Sequence, residues 1–487
     1  MGDKLEEQAL PIKMALDIGS SKVCALISTP DATGKRIEVI GLGIAESDGI
    51  RRGVIVNIDK TVKAINDAVH SARQQCNYDI DKVTVGISGE HIKGSIKNHV
   101  ISSTNLQKQI TEQEVSRLML EASRMPLPAD RRIIHLFPQQ YFVDDQDGGT
   151  DPIGMSGVRL EAQFNVITSP TTSLDNVCRC LERTNIQVEN IILNSLASSY
   201  AVLQEDEKEV GTALIDIGAG TSEIIVYVDN IIRHTEIIAF GGDQLTSDIK
   251  TVLGVVKADA ERLKREHGHC FVESMHRSDE LQVPGIAGSS PKRFQRKYLA
   301  EILESRMAEI MMFANLALEQ AEVKNSLKAG IVLTGGTSLL PGIEQLAASI
   351  FRLPVRLGFP KMISSRGLAP EAENPIYSTA VGLAMYSFEK FNENLSFNNE
   401  KKKEEEKIKE IEKEHEQARF VSISTNEGKN KRDAINKKQL DIEQDESNKN
   451  LESSDEMQNE EENSENTQKE SIKEKFTSKL KKIFEQF

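Results

Sequence analysis

Two periodicities alternate along the first four-fifths of the chain. Short, continuous apolar runs such as Met14-Ala15-Leu16, Val23-Cys24-Ala25-Leu26-Ile27 and Ala213-Leu214-Ile215 read as strands buried on both faces. Strands are expected at 13–17, 23–28, 36–46, 83–88 and 212–216, with others beyond. Longer stretches repeat apolar residues every three or four positions. They predict helices at 59–76, 111–124, 172–184, 243–265, 293–322, 342–350 and 376–390. Thr111-Glu112-Gln113-Glu114 has the spacing of a capping box and starts one of them. Strands mixed with helices of this length point to layered α/β domains.

The pattern stops near Phe397. Residues 398–470 are rich in Lys, Glu, Asn, Ser and Gln, and Phe420 is their only aromatic. Such a segment buries too little apolar surface to offset its ordering entropy, so a disordered tether is expected. A flexible tether of that length has an end-to-end distance of about 50 Å. Helical spacing then returns. Ser471 and Glu474 form a second capping box, and Ile472, Phe476, Leu480, Ile483, Phe484 and Phe487 fall on one stripe. Lys475, Lys479, Lys481 and Lys482 take the other side. This composition fits a helix lying in a membrane interface, each Lys near an anionic surface adding about 1 kcal/mol. Docking onto the protein's own core and capture by a calmodulin-like partner are the other fates open to such a helix.

The net charge of −15 over 487 residues disfavours nucleic acid as the main partner. The five cysteines lack zinc spacing and read as reduced packing residues of a cytosolic protein. The first residues carry no apolar signal segment, and no apolar run reaches the roughly 18 residues of a spanning helix.

One short pattern is written twice. Leu16-Asp17-Ile18-Gly19-Ser20-Ser21-Lys22 recurs as Ile215-Asp216-Ile217-Gly218-Ala219-Gly220-Thr221, each copy between two apolar strands. Glycine lets a turn backbone approach a ligand closely. The turn amides then form a nest for anionic oxygens, and the Asp suits a metal ion or its waters. Two such hairpins predict a polyphosphate gripped across a cleft. No G-x-x-x-x-G-K-[ST] loop is present, and no G-x-G-x-x-G opens a helix after a strand.

Three further segments complete a pocket. Gly335-Gly336-Thr337-Ser338 ends an apolar strand, where a base lies flat against backbone. Glu261 and Lys264, three apart on a helix, either reach a ribose together or form a surface ion pair. Small residues at Ser378, Thr379, Ala380, Gly382 and Ala384 let two helices cross closely, at a hinge or in ordinary packing.

On these motifs the chain resembles the FtsA family of bacterial cell-division proteins, membrane-linked members of the actin superfamily. Residues 13–390 and the tail helix carry the resemblance. The paired turns and Gly335-Gly336 are shared with other actin-like proteins and sugar kinases. Gly241 to Ile249, Pro152 to Glu161 and the tethered amphipathic C-terminus are closer to FtsA. The resemblance implies an actin-like (ribonuclease H-like) two-domain fold with a nucleotide cleft. The first domain would comprise 13–83, 168–205 and 361–392, interrupted by an interaction subdomain at 84–167. The second would comprise 206–243 and 306–360, with an outer subdomain at 244–305 that receives the C-terminal peptide of the tubulin-like GTPase FtsZ. A charged linker at 393–470 and a membrane-targeting helix at 471–487 would follow.

The resemblance also implies ATP and Mg²⁺ as ligands. Asp17 and Asp216 would hold Mg²⁺ largely through water. Gly19, Ser20, Ser21 and Lys22 would meet the phosphates from one side, and Gly218, Ala219, Gly220 and Thr221 from the other. Glu261 and Lys264 would bind ribose, while Gly335, Gly336 and Ser338 border adenine. At the position where relatives place a water-orienting Glu this chain has Asn194, so at most a weak ATPase is expected. Implied partners are FtsZ, membrane lipids, other division proteins and further copies of the chain, at the cytoplasmic face of the cell membrane. A sugar or acid kinase and a cytoskeletal or pilus-assembly relative are the alternatives within the superfamily.

Overall fold

In a computed structural model the described residues are 11–33, 36–76, 78–103, 109–275, 279–285 and 290–390. The linker and amphipathic helix expected at 393–470 and 471–487 lie outside them, as do all the tail residues named above.

Two sheets share one plan. In the first, Lys13–Ile18, Lys22–Pro30 and Ile37–Glu46 form an antiparallel meander. Lys82–Ile87 and Gln187–Leu193 extend it in parallel beyond Lys13–Ile18, and Ile363–Gly367 closes the other edge. In the second, Thr212–Ile217, Ser222–Val228 and Ile231–Ile238 form the meander, extended in parallel by Gly330–Thr334 and Val355–Leu357. Each repeated Asp therefore ends the first strand of a hairpin.

The sheets are covered on both faces, which is why their strands are continuously apolar. Helices Ile58–Cys76 and Thr171–Glu182 cover the outer face of the first, with a core that includes Ile65, Val85 and Leu181. Helices Gly242–Leu253, Arg296–Gln320 and Ile343–Phe351 cover the second around Leu245, Met307 and Phe351. Between the sheets lie helix Asn194–Val202 and the helix over 378–390. Leu196, Ala197, Leu383 and Ala384 share one core there with Leu26 of the first sheet and Leu214 of the second. The small residues bring these two helices into backbone contact, because a Cβ on Gly382 would sit 1.7 Å from the carbonyl oxygen of Ala197.

A separate antiparallel sheet, with strands Lys93–Ser102, Arg159–Pro170, Arg131–Val143 and Gln146–Gly149 in spatial order, interrupts the first half. It has its own core around Phe164, Leu118 and Leu160. The expected capping box starts its helix Glu112–Ala122, where the Thr111 amide donates to Glu114 Oε2 at 3.3 Å. This sheet also bonds to the second half. Gln139 Nε2 donates to the carbonyl of Ile232 at 2.8 Å, and Arg233 Nη1 to the carbonyl of Gln139 at 3.1 Å.

Three predicted helices differ from the observed ones. The helix expected over 243–265 is two, Gly242–Leu253 and Lys257–His267, because Gly254 takes the left-handed conformation (φ 57°) and ends the first. At 293–322 the leading residues form a strand, Lys292–Gln295, that pairs with Glu280–Val283, and the helix runs Arg296–Gln320. At 376–390 a 3₁₀ turn over Pro375–Tyr377 precedes a helix from residue 378.

Candidate functional site

The two repeated turns close the same way. The Gly19 amide donates to the Lys22 carbonyl at 3.0 Å, and the Gly218 amide to the Thr221 carbonyl at 2.9 Å. They face each other at close quarters: a Cβ on Gly220 would lie 2.4 Å from Ser20 Oγ and 3.0 Å from Arg52 Cα. Ser20 Oγ also accepts from the Gly53 amide at 3.1 Å, so the 50–55 loop braces the first turn.

Both aspartates are buried. Asp17 has one cation, Lys22, whose Nζ lies 3.5 Å from its Oδ2 and 5.3 Å from the centre of the Tyr377 ring. Burial alone lowers the Lys22 pKa, but the Asp17 charge and its weaker partners outweigh it and the net direction is upward. Asp216 Oδ2 accepts from Ser198 Oγ at 2.5 Å and from Thr379 Oγ1 at 3.3 Å, one hydroxyl from each of the two central helices. Burial, with the charge of Asp17 adding to it, pushes Asp216 up to about 6 against those hydrogen bonds. Two carboxylates on apposed turns suit Mg²⁺, which takes one or two carboxylates and keeps several waters.

The other expected residues collect behind the second turn. The Gly242 amide donates to the Gly218 carbonyl at 2.9 Å, and the Asp243 amide to the Ala219 carbonyl at 2.8 Å. Thr337 Oγ1 donates to the Gly218 carbonyl at 2.9 Å. Gly335 has φ 88°, and a Cβ there would fall 2.3 Å from Asp216 Oδ1, so backbone conformation and space both require glycine. Ser338 turns away, its hydroxyl donating to the Gly335 carbonyl at 2.7 Å. Glu261 and Lys264 pair with each other at 2.7 Å, and Lys264 Nζ reaches the Gly242 carbonyl at 3.0 Å. Burial alone raises Glu261, but Lys264, Thr246 and Arg265 hold it below the ordinary carboxylate range. The pair is an ion pair, but Lys264 is buried beside the second turn rather than standing at the surface.

Asn194 opens the helix Asn194–Val202, and its Oδ1 lies against Gly86, where a Cβ would come within 2.1 Å of it. That oxygen is buried and has no hydrogen-bond partner among the described residues.

The motifs did not point to Glu223. It is buried, stands opposite Asp216 in the second hairpin, and pairs with no cation among the described residues. Its Oε2 accepts from the Ser195 amide at 3.1 Å, and its Oε1 from Thr221 Oγ1 at 3.5 Å. Burial first, then the charge of Asp216, push it up to about 8. Its one sequence signal is a charge inside the apolar strand Ser222–Val228.

With the geometry in place, similarity adds a family. A family model described as cell division protein FtsA matches residues 213–382, and one described as an SHS2 domain inserted in FtsA matches 89–168. The Pseudomonas aeruginosa cell division protein FtsA is 39% identical over 383 residues, 79% of this chain and 91% of that protein. The Escherichia coli K12 protein of the same name is 35% identical over 77% of this chain and 90% of its own length. Among solved structures, the PilM–PilN type IV pilus biogenesis complex superposes with a TM-score of 0.56 at 15% identity, over 77% of this chain and 98% of that one, a likeness of fold.

Proposed function

The chain belongs to the FtsA family of cell-division proteins, and from that premise we propose that it is an ATP-binding membrane adaptor of the division ring. Mg-ATP binds between the two hairpins, closes the cleft and favours assembly into actin-like filaments on the cytoplasmic face of the membrane. The observation that carries this reading is the apposition of the two turns, with a buried aspartate at the root of each. ATP acts mainly as a conformational ligand, because Asn194 stands where relatives place a water-orienting Glu, while Asp216 bonds to both central helices.

The inserted sheet contacts the next copy and other division proteins, a role supported by exposed Ile96, Val100, Ile153 and Val158. The outer subdomain at 244–305 receives the FtsZ C-terminal peptide, and Val252, Val256 and Tyr298 stand exposed on it. The tail anchors the assembly. Its six apolar side chains give modest affinity per copy, and polymerisation multiplies it through effective concentration.

Sedimentation with anionic vesicles tests the proposal, comparing the whole chain with one ended at Glu470, with and without ATP. The expected outcome is pelleting of the whole chain only, rising steeply with protein concentration when ATP is present. Pelleting of the shortened chain would place the anchor elsewhere, and a linear concentration dependence would remove the avidity argument.

A further inference from the structure

The cleft contains a polar cluster that metal and phosphate binding leave unused. Glu223 comes from the second half, while Ser195, Asn194 and Ser88 come from the first. Ser88 Oγ lies 3.4 Å from Thr221 Oγ1, and Thr221 Oγ1 lies 3.5 Å from Glu223 Oε1. The cluster is therefore continuous with the second phosphate turn. Two of its buried atoms, Ser195 Oγ (residue 0% exposed) and Asn194 Oδ1 (8%), have no hydrogen-bond partner among the described residues. Buried polar atoms are rarely left unpaired, and Ser195, whose amide Glu223 accepts, carries one at the start of the central helix, where a small polar ligand such as water has a partner.

Other carboxylates near the turns are committed. Asp17 and Asp216 stand at the turn roots and Glu261 is paired with Lys264 and Arg265. Glu223, like Asp216, pairs with no cation among the described residues, but it faces the Ser195 end of the central helix rather than standing at a turn root. Its carboxylate accepts from the Ser195 amide, Thr221 and Ser88, and a carboxylate has about four acceptor positions, so one stays open.

We propose that Glu223 is the catalytic carboxylate of a slow ATP hydrolysis, the role that Asn194 cannot fill, and this rests on the ATP-binding reading above. In its ionised form Glu223 accepts the proton of a water held between it and the Ser195–Asn194 end of the central helix. As the proton leaves, the water oxygen forms its bond to the terminal phosphorus. The bond from that phosphorus to the β–γ bridging oxygen breaks, and its electron pair departs with ADP. Because the Ser195 amide and Glu223 belong to opposite halves, the water's seat is complete only when the halves are closed.

The test uses the full chain with Glu223→Gln, which keeps size and an oxygen to accept from the Ser195 amide, and measures three quantities. Binding of a non-hydrolysable ATP analogue is expected to stay within about threefold of wild type. Phosphate release is expected to fall at least about a hundredfold, the lower end of the range that positioned general bases contribute. Filaments assembled with ATP are expected to last as long as wild-type filaments assembled with the analogue. Equal phosphate release by variant and wild type would overturn the assignment, as would no detectable release by wild type. Loss of analogue binding by the variant would also overturn it, making Glu223 structural. If wild type itself fails to bind the analogue, the ATP-binding reading falls instead.

Discussion

Three acidic side chains, Asp17, Asp216 and Glu223, are buried in one cleft, and Lys22 pairs with the first of them. This sets a pH dependence. Glu223 is raised from 4.5 to about 8 in the fold, so between those values the folded chain binds more protons than the unfolded one. Stability therefore falls as pH rises through that window. His135 is lowered to about 4 by burial, so it gives the opposite slope, confined to lower pH than its unfolded value of 6.5. Asp216, Glu236 and Asp243 are also raised, so between about 6.5 and 8 the comparison with Glu223→Gln is what assigns the slope to Glu223. Without nucleotide, the melting temperature should drop over that range, and the drop should shrink in Glu223→Gln; identical slopes would sink this account. Sequence disclosed Asp17 and Asp216 because each sits in a repeated pattern. Glu223 occurs once, and only its pairing opposite Asp216 shows that it shares their side of the hairpin.

At the scale of elements, the central helices are separated by no side chain at Gly382. A Cβ there would meet the carbonyl oxygen of Ala197 at 1.7 Å and its carbonyl carbon at 2.3 Å, both backbone atoms that cannot swing aside. Gly382→Val should cost about 3 kcal/mol through forced separation. It should also weaken ATP binding, since Ser198 and Thr379 reach Asp216 from these two helices. Thermal unfolding and equilibrium nucleotide binding check the two effects, and a variant as stable as wild type would rule out the close crossing. The small-residue spacing made that crossing legible in sequence. The strand over Lys292–Gln295 was not, because Lys292, Arg293 and Gln295 look like the start of an exposed helix and only Leu281 opposite Phe294 gives the pairing away. The break at Gly254 was available as a glycine after an apolar helical run, and the periodicity on either side masked it.

At the scale of the molecule, the proposed anchoring and nucleotide binding belong to different parts of the chain, so the two should separate cleanly. Phe484→Glu puts a charge on the apolar stripe of the tail, and the cost of carrying it into the interface should abolish vesicle binding. Analogue affinity should remain at the wild-type value, because the cleft residues named above all precede residue 390. Equilibrium binding and flotation on the same preparation decide it, and retained flotation would move the anchor out of this helix.

The inserted sheet grows out of the first half yet exchanges hydrogen bonds with Ile232 and Arg233 of the second. Those bonds lie on the outer strand of the second meander, whose Ile232 shares a core with the two central helices that join the halves. In mechanical language the sheet is a lever arm with its fulcrum at Gln139. A small rotation at the joint must either swing the far rim of the sheet or shear those two bonds. Whatever docks on that rim is then geared to the angle of the cleft.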